Sequence, residues 1–395
     1  MKVLLAMYRD DPGAGGSLRV GQALAKGLRT QGVDARICFS YGQEGPIGQS
    51  AVAPCYYLNL NSSKDLFRWP RVRALVHDFK PDVIHFIDPL VWMHLALTGI
   101  DLKRVSHVHG VILRKNIPLK TNLEWRFIKS KDHTIVCITE GARQSTLQRF
   151  HISKDRTSVV YNGIDFNWFQ NRPYKDEARH RLGIPHDKLI LGAVGRLFEA
   201  RGYDDMLRIV SQLDPRWGAL IVGSGPERES LELLVKRLGV ADRTYFTGPL
   251  ADVRLAYSAM DAYAFLPLYD SFGLATAEAM ACRVPVFGLD CPGEYREQEN
   301  PLVTNDNAIF LKRRWRRFFS DKEDPTALQS LAQRIQWHGA NPAALEKMTA
   351  RAWEHVRVHF SIETQVNRMH ELYQGLLHDR HGRVGPLDRE QVTTL

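Results

Sequence analysis

The sequence predicts an α/β protein with two domains, each built on a doubly wound parallel sheet. A unit of apolar strand, glycine-containing turn and helix opens the chain and recurs near residue 188, with further strand and helix pairs between. Such alternation is typical of parallel sheets covered by helices on both faces. The 395 residues, 44% of them hydrophobic, are enough for two packed domains. Parallel sheets bind ligands beyond the carboxyl ends of their strands, so we expect a site in a cleft between the domains.

The first domain is predicted over residues 1–168. It begins with the strand KVLLAMY, the turn DPGAGG and a helix whose Val20, Leu24 and Leu28 share one face and whose stop signal is Gly32. The later strands of this domain are predicted in KPDVIHFID, VSHVHG, HTIVCIT and TSVVYNGID, and a further helix in EGARQSTLQRF.

The second domain is predicted over residues 169–360, after a proline-bearing linker and lead-in helix in FNWFQNRPYKDEARHRLG. Its strands are predicted in KLILGAVG, GALIVG, DAYAFLPL and VPVFGL, and its helices in YDDMLRIVSQL, ESLELLVKRLG and LATAEAMACR. A last helix over about 361–378 is expected to pack back onto the first domain, and the polar tail 380–395 to be disordered.

Several classes of protein are excluded by simple sequence features. The apolar start is interrupted at Arg9, Asp10 and Asp11, so no secretory signal forms and we expect a cytoplasmic protein. The most apolar later window, VIHFIDPLVWMHLALTGI, contains an acid and two histidines, whose burial in lipid is costly. We therefore do not expect it to span a membrane. The five cysteines are widely spaced and form no C-x-x-C pair, which favours reduced packing thiols over a zinc site or disulfides.

The net charge of +9 is concentrated in the first half of the chain. The segment 103–131, here called the basic segment, carries eight Lys and Arg side chains against one acid, interleaved with apolar residues. This composition favours an anionic partner, either a lipid surface or a nucleic acid, with Trp125 and Phe127 available to insert into a membrane. A solvated basic face is an equally open interpretation.

The glycines at 13–16 do not form a dinucleotide-binding fingerprint. The pattern G-x-G-x-x-G requires glycine at position 18, where Leu18 stands, and the second strand ends without an acid for a ribose. What remains is a glycine turn before a helix, which allows close approach of a phosphate but is more often only a turn.

The stretch DSFGLATAE places two carboxylates, Asp270 and Glu278, around the start of a helix in the second domain. The amides around Phe272, Gly273 and Leu274 lie at the helix N-terminus, where backbone N–H groups and the helix dipole can hold a diphosphate. Glu278 lies one turn further in, which suits a hydrogen bond to sugar hydroxyls, and its removal is expected to leave the fold intact. The alternative is an acid pair that only stabilises the helix dipole.

At these motifs the chain resembles the retaining glycosyltransferases of family 4. The family signature, an acid and a glutamate around F-G-L followed by E-A-M-A and a P-V strand, stands here as DSFGLATAEAMACRVPVFG. A second family motif appears as GRLFEARG over 195–202, and VGSGPE, YFTGPL and NGID also occur. The resemblance extends over most of the chain.

The resemblance implies the GT-B fold, in which two Rossmann-like domains face each other, and transfer of a hexose from a nucleotide diphosphate sugar with retention of configuration. It implies that Arg196 and Arg201 neutralise the donor diphosphate, that Glu278 holds the ribose and that Asp270 touches the donor sugar. The leaving diphosphate would help to deprotonate the acceptor, so no side-chain nucleophile is required. No metal or other cofactor is expected, because no D-x-D occurs and the arginines supply positive charge.

In the first domain the resemblance implies that Gly15 and Gly16 close over the phosphate and that His109 lies beside the sugar. This domain would bind the acceptor, which in family members that build exopolysaccharide or lipopolysaccharide is often lipid-linked. We therefore expect peripheral attachment to the inner face of the cytoplasmic membrane through the basic segment, and no specific nucleic acid.

The chain departs from the family pattern at three places. Asp270 replaces the usual glutamate, Arg201 replaces a lysine, and the segment 289–311 lacks the usual paired glycines, so no donor contact is carried over there. His107 and His109 could instead be core histidines, and Arg196 an ion-pair residue. A GT-B sugar epimerase or phosphorylase, or a non-catalytic nucleotide or RNA binder, remain alternative functions.

Overall fold

The computed structural model describes residues 1–10, 16–50, 52–60, 69–87, 90–110, 119–268, 272–290, 300–312 and 325–378. The chain divides into two compact units. Unit 1 comprises residues 1–164 and the chain from 362 onward, and unit 2 comprises residues 165–361. The sequence predicts the first boundary between residues 168 and 169 and the second between residues 360 and 361. Each unit contains its own parallel sheet.

The sheet of unit 1 has seven parallel strands in the order β3-β2-β1-β4-β5-β6-β7. Every strand is rich in buried apolar residues, as expected for a sheet covered on both faces. The strands are β1 (Lys2–Arg9), β2 (Asp34–Tyr41), β3 (Cys55–Leu60), β4 (Val83–Phe86), β5 (Lys103–Val108), β6 (Thr134–Cys137) and β7 (Thr157–Val159).

The helices of unit 1 lie between these strands. α1 ends two residues before Gly32, whose φ of 78° is that of a left-handed helix terminator, so the predicted stop is confirmed. The helices in chain order are α1 (Gly16–Thr30), α2 (Pro46–Gln49), α3 (Trp69–Phe79), α4 (Val91–Ala96), α5 (Leu119–Lys131) and α6 (Glu140–Phe150).

The sheet of unit 2 has six parallel strands in the order β10-β9-β8-β11-β12-β13. The first strand, β8, lies in the middle and the chain order reverses there, which is the position at which open parallel sheets bind ligands. The strands are β8 (Leu189–Val194), β9 (Trp217–Val222), β10 (Thr244–Gly248), β11 (Ala262–Phe265), β12 (Val286–Leu289) and β13 (Ile309–Leu311).

The predicted linker before β8 contains two short helices rather than one. The helices of unit 2 are α7 (Phe166–Gln170), α8 (Lys175–Leu182), α9 (Tyr203–Gln212), α10 (Arg228–Arg237), α11 (Arg254–Ala259), α12 (Leu274–Ala281), α13 (Pro325–Ala340) and α14 (Glu346–His359). The last helix, α15 (Ile362–His378), belongs to unit 1, where it packs against α1.

The cysteines of the described residues are unpaired, and Cys38, Cys137 and Cys282 are buried. Cys291 lies outside the described residues. Among the helices that the structure describes, none combines the length and the apolar character needed to cross a bilayer.

Candidate active site

The turn that follows β8 carries the first predicted arginine. Arg196 is exposed, directly after Gly195, and the next residue, Leu197, is fully buried. A Cβ atom on Gly223 would lie 1.9 Å from the Gly195 carbonyl oxygen, so the turns after β8 and β9 are in backbone contact. Only glycine allows this approach, and the Arg196 turn is therefore fixed by the neighbouring one.

Arg201 ends a short 3-10 turn and is held close to β11. Gly202 follows it with φ of 67°, and a Cβ atom there would lie 2.1 Å from the Leu266 carbonyl oxygen. The Arg201 guanidinium lies 5.5 Å from the centre of the Phe198 ring. Arg201 also lines a cavity of about 20 Å³ together with Gly273 and Thr276 of the DSFGLATAE stretch. The structure thus brings Arg201 to the N-terminus of α12.

The N-terminus of α12 has the features of an anion-binding position. Its first amides have no partner within the helix, and the helix dipole places about half a positive charge there. Thr276 is 1% exposed, and its hydroxyl has no hydrogen-bond partner among the described residues. A hydroxyl, backbone amides and a guanidinium at one cavity can together bind a phosphate oxygen. Thr276 was not singled out from the sequence, although it lies within the motif.

The remaining small and apolar residues of this stretch serve mainly packing. The Phe272 ring is buried and meets Phe360 edge to face at 5.5 Å, so only its backbone could reach a donor. Ala277, Ala279 and Ala281 are fully buried, and α12 packs closely on α7 and α14. Leu274 is half-buried at the first position of the helix.

Glu278 is 4% exposed and lies against Tyr257, a fully buried residue of α11. The Tyr257 hydroxyl donates a hydrogen bond of 2.6 Å to Oε2 of Glu278. Burial, together with the neighbouring carboxylate, raises the pKa of Tyr257 well above its usual range, so this hydroxyl keeps its proton and remains a donor. One carboxylate oxygen of Glu278 is therefore oriented by Tyr257, which the sequence did not indicate. The contact of Glu278 with ribose remains a prediction.

Two predicted site residues of unit 1, Gly16 and His109, lie beyond the carboxyl ends of strands. His109 follows β5 directly and is half-buried, and Gly16 is the first residue of α1. Burial lowers the pKa of His109 to about 4, although a hydrogen bond to the Ile87 backbone opposes the shift. Gly15 and Asp270 lie outside the described residues.

Asp10, at the end of β1, is a further polar residue of this edge that the sequence did not indicate as functional. Its carboxylate is buried and accepts hydrogen bonds from the Gly45, Ile47 and Gly48 amides and from the Tyr57 hydroxyl, at 2.8 to 3.0 Å. Asp10 thereby fixes the start of α2 to the end of β1. The sequence feature that could have indicated Asp10 is its position immediately after a buried strand.

Two further observations bear on metals and on the basic segment. Within the described ranges, no group of three His, Cys, Asp or Glu side chains could hold a metal ion.

The prediction that Trp125 can insert into a membrane is wrong, because its ring is buried and stacks on Phe150 at 4.6 Å. Arg104 is also buried and donates to the carbonyl groups of α4 and the turn after it.

Comparison with known proteins assigns the family. The profile described as "Glycosyltransferase Family 4" matches residues 14–168, and the profile described as "Glycosyl transferases group 1" matches residues 174–334. Together they cover most of both units. The chain is a group 1, family 4 glycosyltransferase. The family predicted from the motifs is confirmed, and with it the glycosyltransferase class.

The relatives of this glycosyltransferase include an enzyme of lipopolysaccharide core biosynthesis and a D-inositol 3-phosphate glycosyltransferase. The lipopolysaccharide core biosynthesis glycosyltransferase LpsD of Rhizobium meliloti is 24% identical over 88% of this chain and 91% of its own length. A D-inositol 3-phosphate glycosyltransferase of Thermomonospora curvata is 28% identical over 62% of this chain, a match that spans only 57% of the relative.

Solved structures support the predicted GT-B fold of the glycosyltransferase. HepE of Anabaena, crystallised with UDP and glucose, has a TM-score of 0.77 and 21% identity and covers 95% of this chain and all of its own. WaaG, a glycosyltransferase involved in lipopolysaccharide biosynthesis, has a TM-score of 0.68 and 15% identity, with coverage of 94% and 100%. At these identities the likeness establishes the fold, and the GT-B prediction is confirmed.

Proposed function

We propose that this glycosyltransferase moves a hexose from a nucleotide diphosphate sugar to an acceptor hydroxyl with retention of configuration. The observation that carries the proposal is the cavity shared by Arg201, Gly273 and Thr276 at the N-terminus of α12. It combines a cation, helix amides and a buried hydroxyl without a partner among the described residues, which are groups that bind a phosphate oxygen. The complexes of HepE with UDP and with UDP-glucose support a donor of this class.

In this proposal the residues act by positioning and by stabilising charge. Arg196, Arg201 and the α12 amides bind the diphosphate and stabilise its growing negative charge as it leaves. Glu278, oriented by Tyr257, accepts hydrogen bonds from the ribose hydroxyls. The departing diphosphate takes the proton of the acceptor hydroxyl on the same face of the sugar, so the protein supplies no nucleophile.

The remaining predicted residues contact the donor sugar and the phosphate. Asp270 and His109 contact the hydroxyls of the donor sugar, and Gly15 and Gly16 approach the phosphate through their backbone. No metal ion is required in this scheme, because Arg196 and Arg201 supply the positive charge.

The donor can be identified by a thermal-shift screen against UDP, GDP, ADP and their sugars. A bound donor raises apparent stability by mass action, by about 2.7 kcal/mol at 100 times its Kd. With the donor identified, ¹H NMR of the released or transferred sugar is expected to show the donor's own anomeric configuration, in EDTA as well as in Mg²⁺. An inverted product, or loss of turnover in EDTA, would contradict the proposed chemistry.

We further propose that the acceptor is lipid-linked or part of a surface glycan, and that unit 1 attaches peripherally to the inner face of the cytoplasmic membrane. The names of LpsD and WaaG support a surface-glycan acceptor. The exposed face of α5 supports the membrane attachment, because Leu119 and Leu123 are 74% and 58% exposed and lie one turn apart, with the exposed Arg126 next along that face. These leucines replace Trp125 as the inserting residues.

The membrane proposal predicts that Leu119→Ser combined with Leu123→Ser weakens binding to phosphatidylglycerol vesicles by at least about tenfold. Burial of a leucine is worth about 1.5 to 3 kcal/mol, and nearby basic residues add about 1 kcal/mol each. The measurement is liposome co-sedimentation at low and at 1 M salt, and wild type is expected to bind only at low salt. Leu233→Ser, at a leucine of unit 2 that is 59% exposed, is the matched control.

Equal binding of wild type and the double variant would contradict insertion through α5. Binding by neither protein would leave the basic segment as a solvated face. Arg114 and Lys115 of this segment lie outside the described residues. Lys129 donates a hydrogen bond to the Phe150 carbonyl within unit 1.

A further inference from the structure

Three histidines and one tyrosine form a continuous stack of rings through the core of unit 1. The Tyr373 ring of α15 meets His85 edge to face at 5.9 Å, and its hydroxyl lies 2.6 Å from Nδ1 of His85. His85 stacks on His107 at 5.2 Å, and His107 stacks on His109 at 4.2 Å. We call these four residues the ring column.

The ring column leads from the centre of unit 1 to the edge where a ligand would bind. β4, which carries His85, pairs with β5, which carries His107 and is followed directly by His109. His107 and His109 are two residues apart and so share one face of the sheet. Tyr373, His85 and His107 are fully buried, whereas His109 is half-buried at the carboxyl end of β5. His109 is therefore the only member of the column with exposed surface, although its Nε2 is covered in the protein without ligand and is uncovered only when the donor binds.

The hydrogen bonds of His109 determine its tautomer. A ring N–H of His109 bonds the Ile87 backbone, and Nε2 has no partner among the described residues. The proton therefore resides on Nδ1, and Nε2 keeps its lone pair. An imidazole held in this way accepts a hydrogen bond at Nε2 from a hydroxyl group.

Burial keeps the column uncharged. It lowers the pKa of His85 to about 3, that of His107 well below its usual range and that of His109 to about 4. The ionisable groups that face the column are its own members, contributed by β4, β5 and α15. Among the described residues, no carboxylate or Lys or Arg side chain contributes to these shifts.

We propose that Tyr373, His85 and His107 are positioning residues that hold His109 in one ring orientation and one tautomer, with the Nε2 lone pair presented to a hydroxyl of the donor sugar. The proposal rests on the proposed function for the identity of the ligand. The contacts within the column do not depend on that function, so the two can fail separately. Tyr373 acts on the site from α15 through His85 and His107, without contact to the donor.

The test combines NMR and kinetics on the full chain. Ring-¹⁵N-labelled histidine reports the tautomer and the protonation of His109, whose signals are assigned from His109→Gln. In wild type we expect the Nδ1–H tautomer and no protonation down to pH 5. In His107→Ala, which opens the column to water, we expect a tautomer mixture and a titration midpoint that moves toward about 6.5, the value of an unperturbed histidine.

His107→Phe is the matched variant, since it restores a buried ring but no nitrogen. It is expected to restore the wild-type tautomer and titration of His109. In kinetics, His107→Ala is expected to lower kcat by about tenfold or more, with a smaller change in the donor KM. The acid limb of the pH profile of kcat/KM is expected to move to higher pH. Loss of folded protein alone would lower the amplitude of the pH profile without moving this limb.

Tyr373→Phe provides a second variant that removes one hydroxyl and leaves the core volume unchanged. It is expected to shift His109 in the same direction as His107→Ala, by a smaller amount. An unchanged His109 tautomer and midpoint in both His107→Ala and Tyr373→Phe would overturn the proposal, even if the enzyme transfers sugar. A shifted His109 in a protein that binds no nucleotide sugar would overturn the proposed function and support the positioning role.

Discussion

Replacing Arg196 and Arg201 together with glutamine is expected to lower kcat by about 10³-fold or more, while the Kd for the sugar nucleotide rises much less. A single preorganised donor that stabilises transition-state charge is worth about 10²- to 10³-fold in turnover. Both arginines are assigned to the leaving diphosphate, whose charge is larger in the transition state than in the bound donor. Calorimetric donor binding and steady-state turnover measure the two quantities separately.

Two controls separate charge from packing in this experiment. Arg201→Lys keeps the charge, restores the residue usual in the family and is expected to retain most of the turnover, although it loses bidentate contact. Arg237→Gln removes an exposed arginine at the end of α10 and is expected to have no effect. A higher KM with unchanged kcat in the double variant would show that the arginines only bind the donor.

Glu278→Ala is expected to lower both the free energy of unfolding and the affinity for the donor. The Tyr257 hydroxyl would remain buried without its acceptor, which costs about 1 to 3 kcal/mol, and loss of the ribose hydrogen bonds weakens donor binding by about 1.5 to 3 kcal/mol. Thermal unfolding and calorimetry report the two effects. This differs from the expectation based on sequence, in which the fold is unaffected.

The combination of Glu278→Ala with Tyr257→Phe separates these effects. Removal of the unpaired hydroxyl is expected to restore part of the stability, because both polar partners are then absent, while donor binding stays weak. Tyr257→Phe alone keeps the carboxylate and is expected to retain donor binding. If the double variant binds donor as wild type does, the assignment of Glu278 to ribose is wrong.

The sequence predicted the fold well because its signals are local. Continuous apolar strands, each followed by a turn and an amphipathic helix, specify parallel sheets without knowledge of distant contacts. The motif around Glu278 was found for the same reason, since its helix start, glycine and acid lie within nine residues of sequence. Arg201 was indicated only by the family resemblance, and its position beside α12 is seen in the structure.

The parts that were missed depend on contacts between distant residues. Trp125 lies among basic residues and looks exposed in sequence, but Phe150, on the next helix, buries it. His85 and Tyr373 are 288 residues apart, and neither stands in a recognisable motif. Tyr257 belongs to a helix whose apolar pattern says only that it is buried, so its hydrogen bond to Glu278 could not be predicted.

The return of α15 to unit 1 determines the order in which the protein can fold during translation. Val366, Met369 and Leu372 of α15 belong to the same apolar core as Leu24 and Leu28 of α1, yet they are synthesised after the whole of unit 2. At the usual elongation rates this delay is on the order of ten seconds or more. During that interval the surface of α1 that α15 covers, around Gly27, is exposed and available to chaperones, and a ribosome that stalls before residue 362 leaves a nascent chain with this surface exposed.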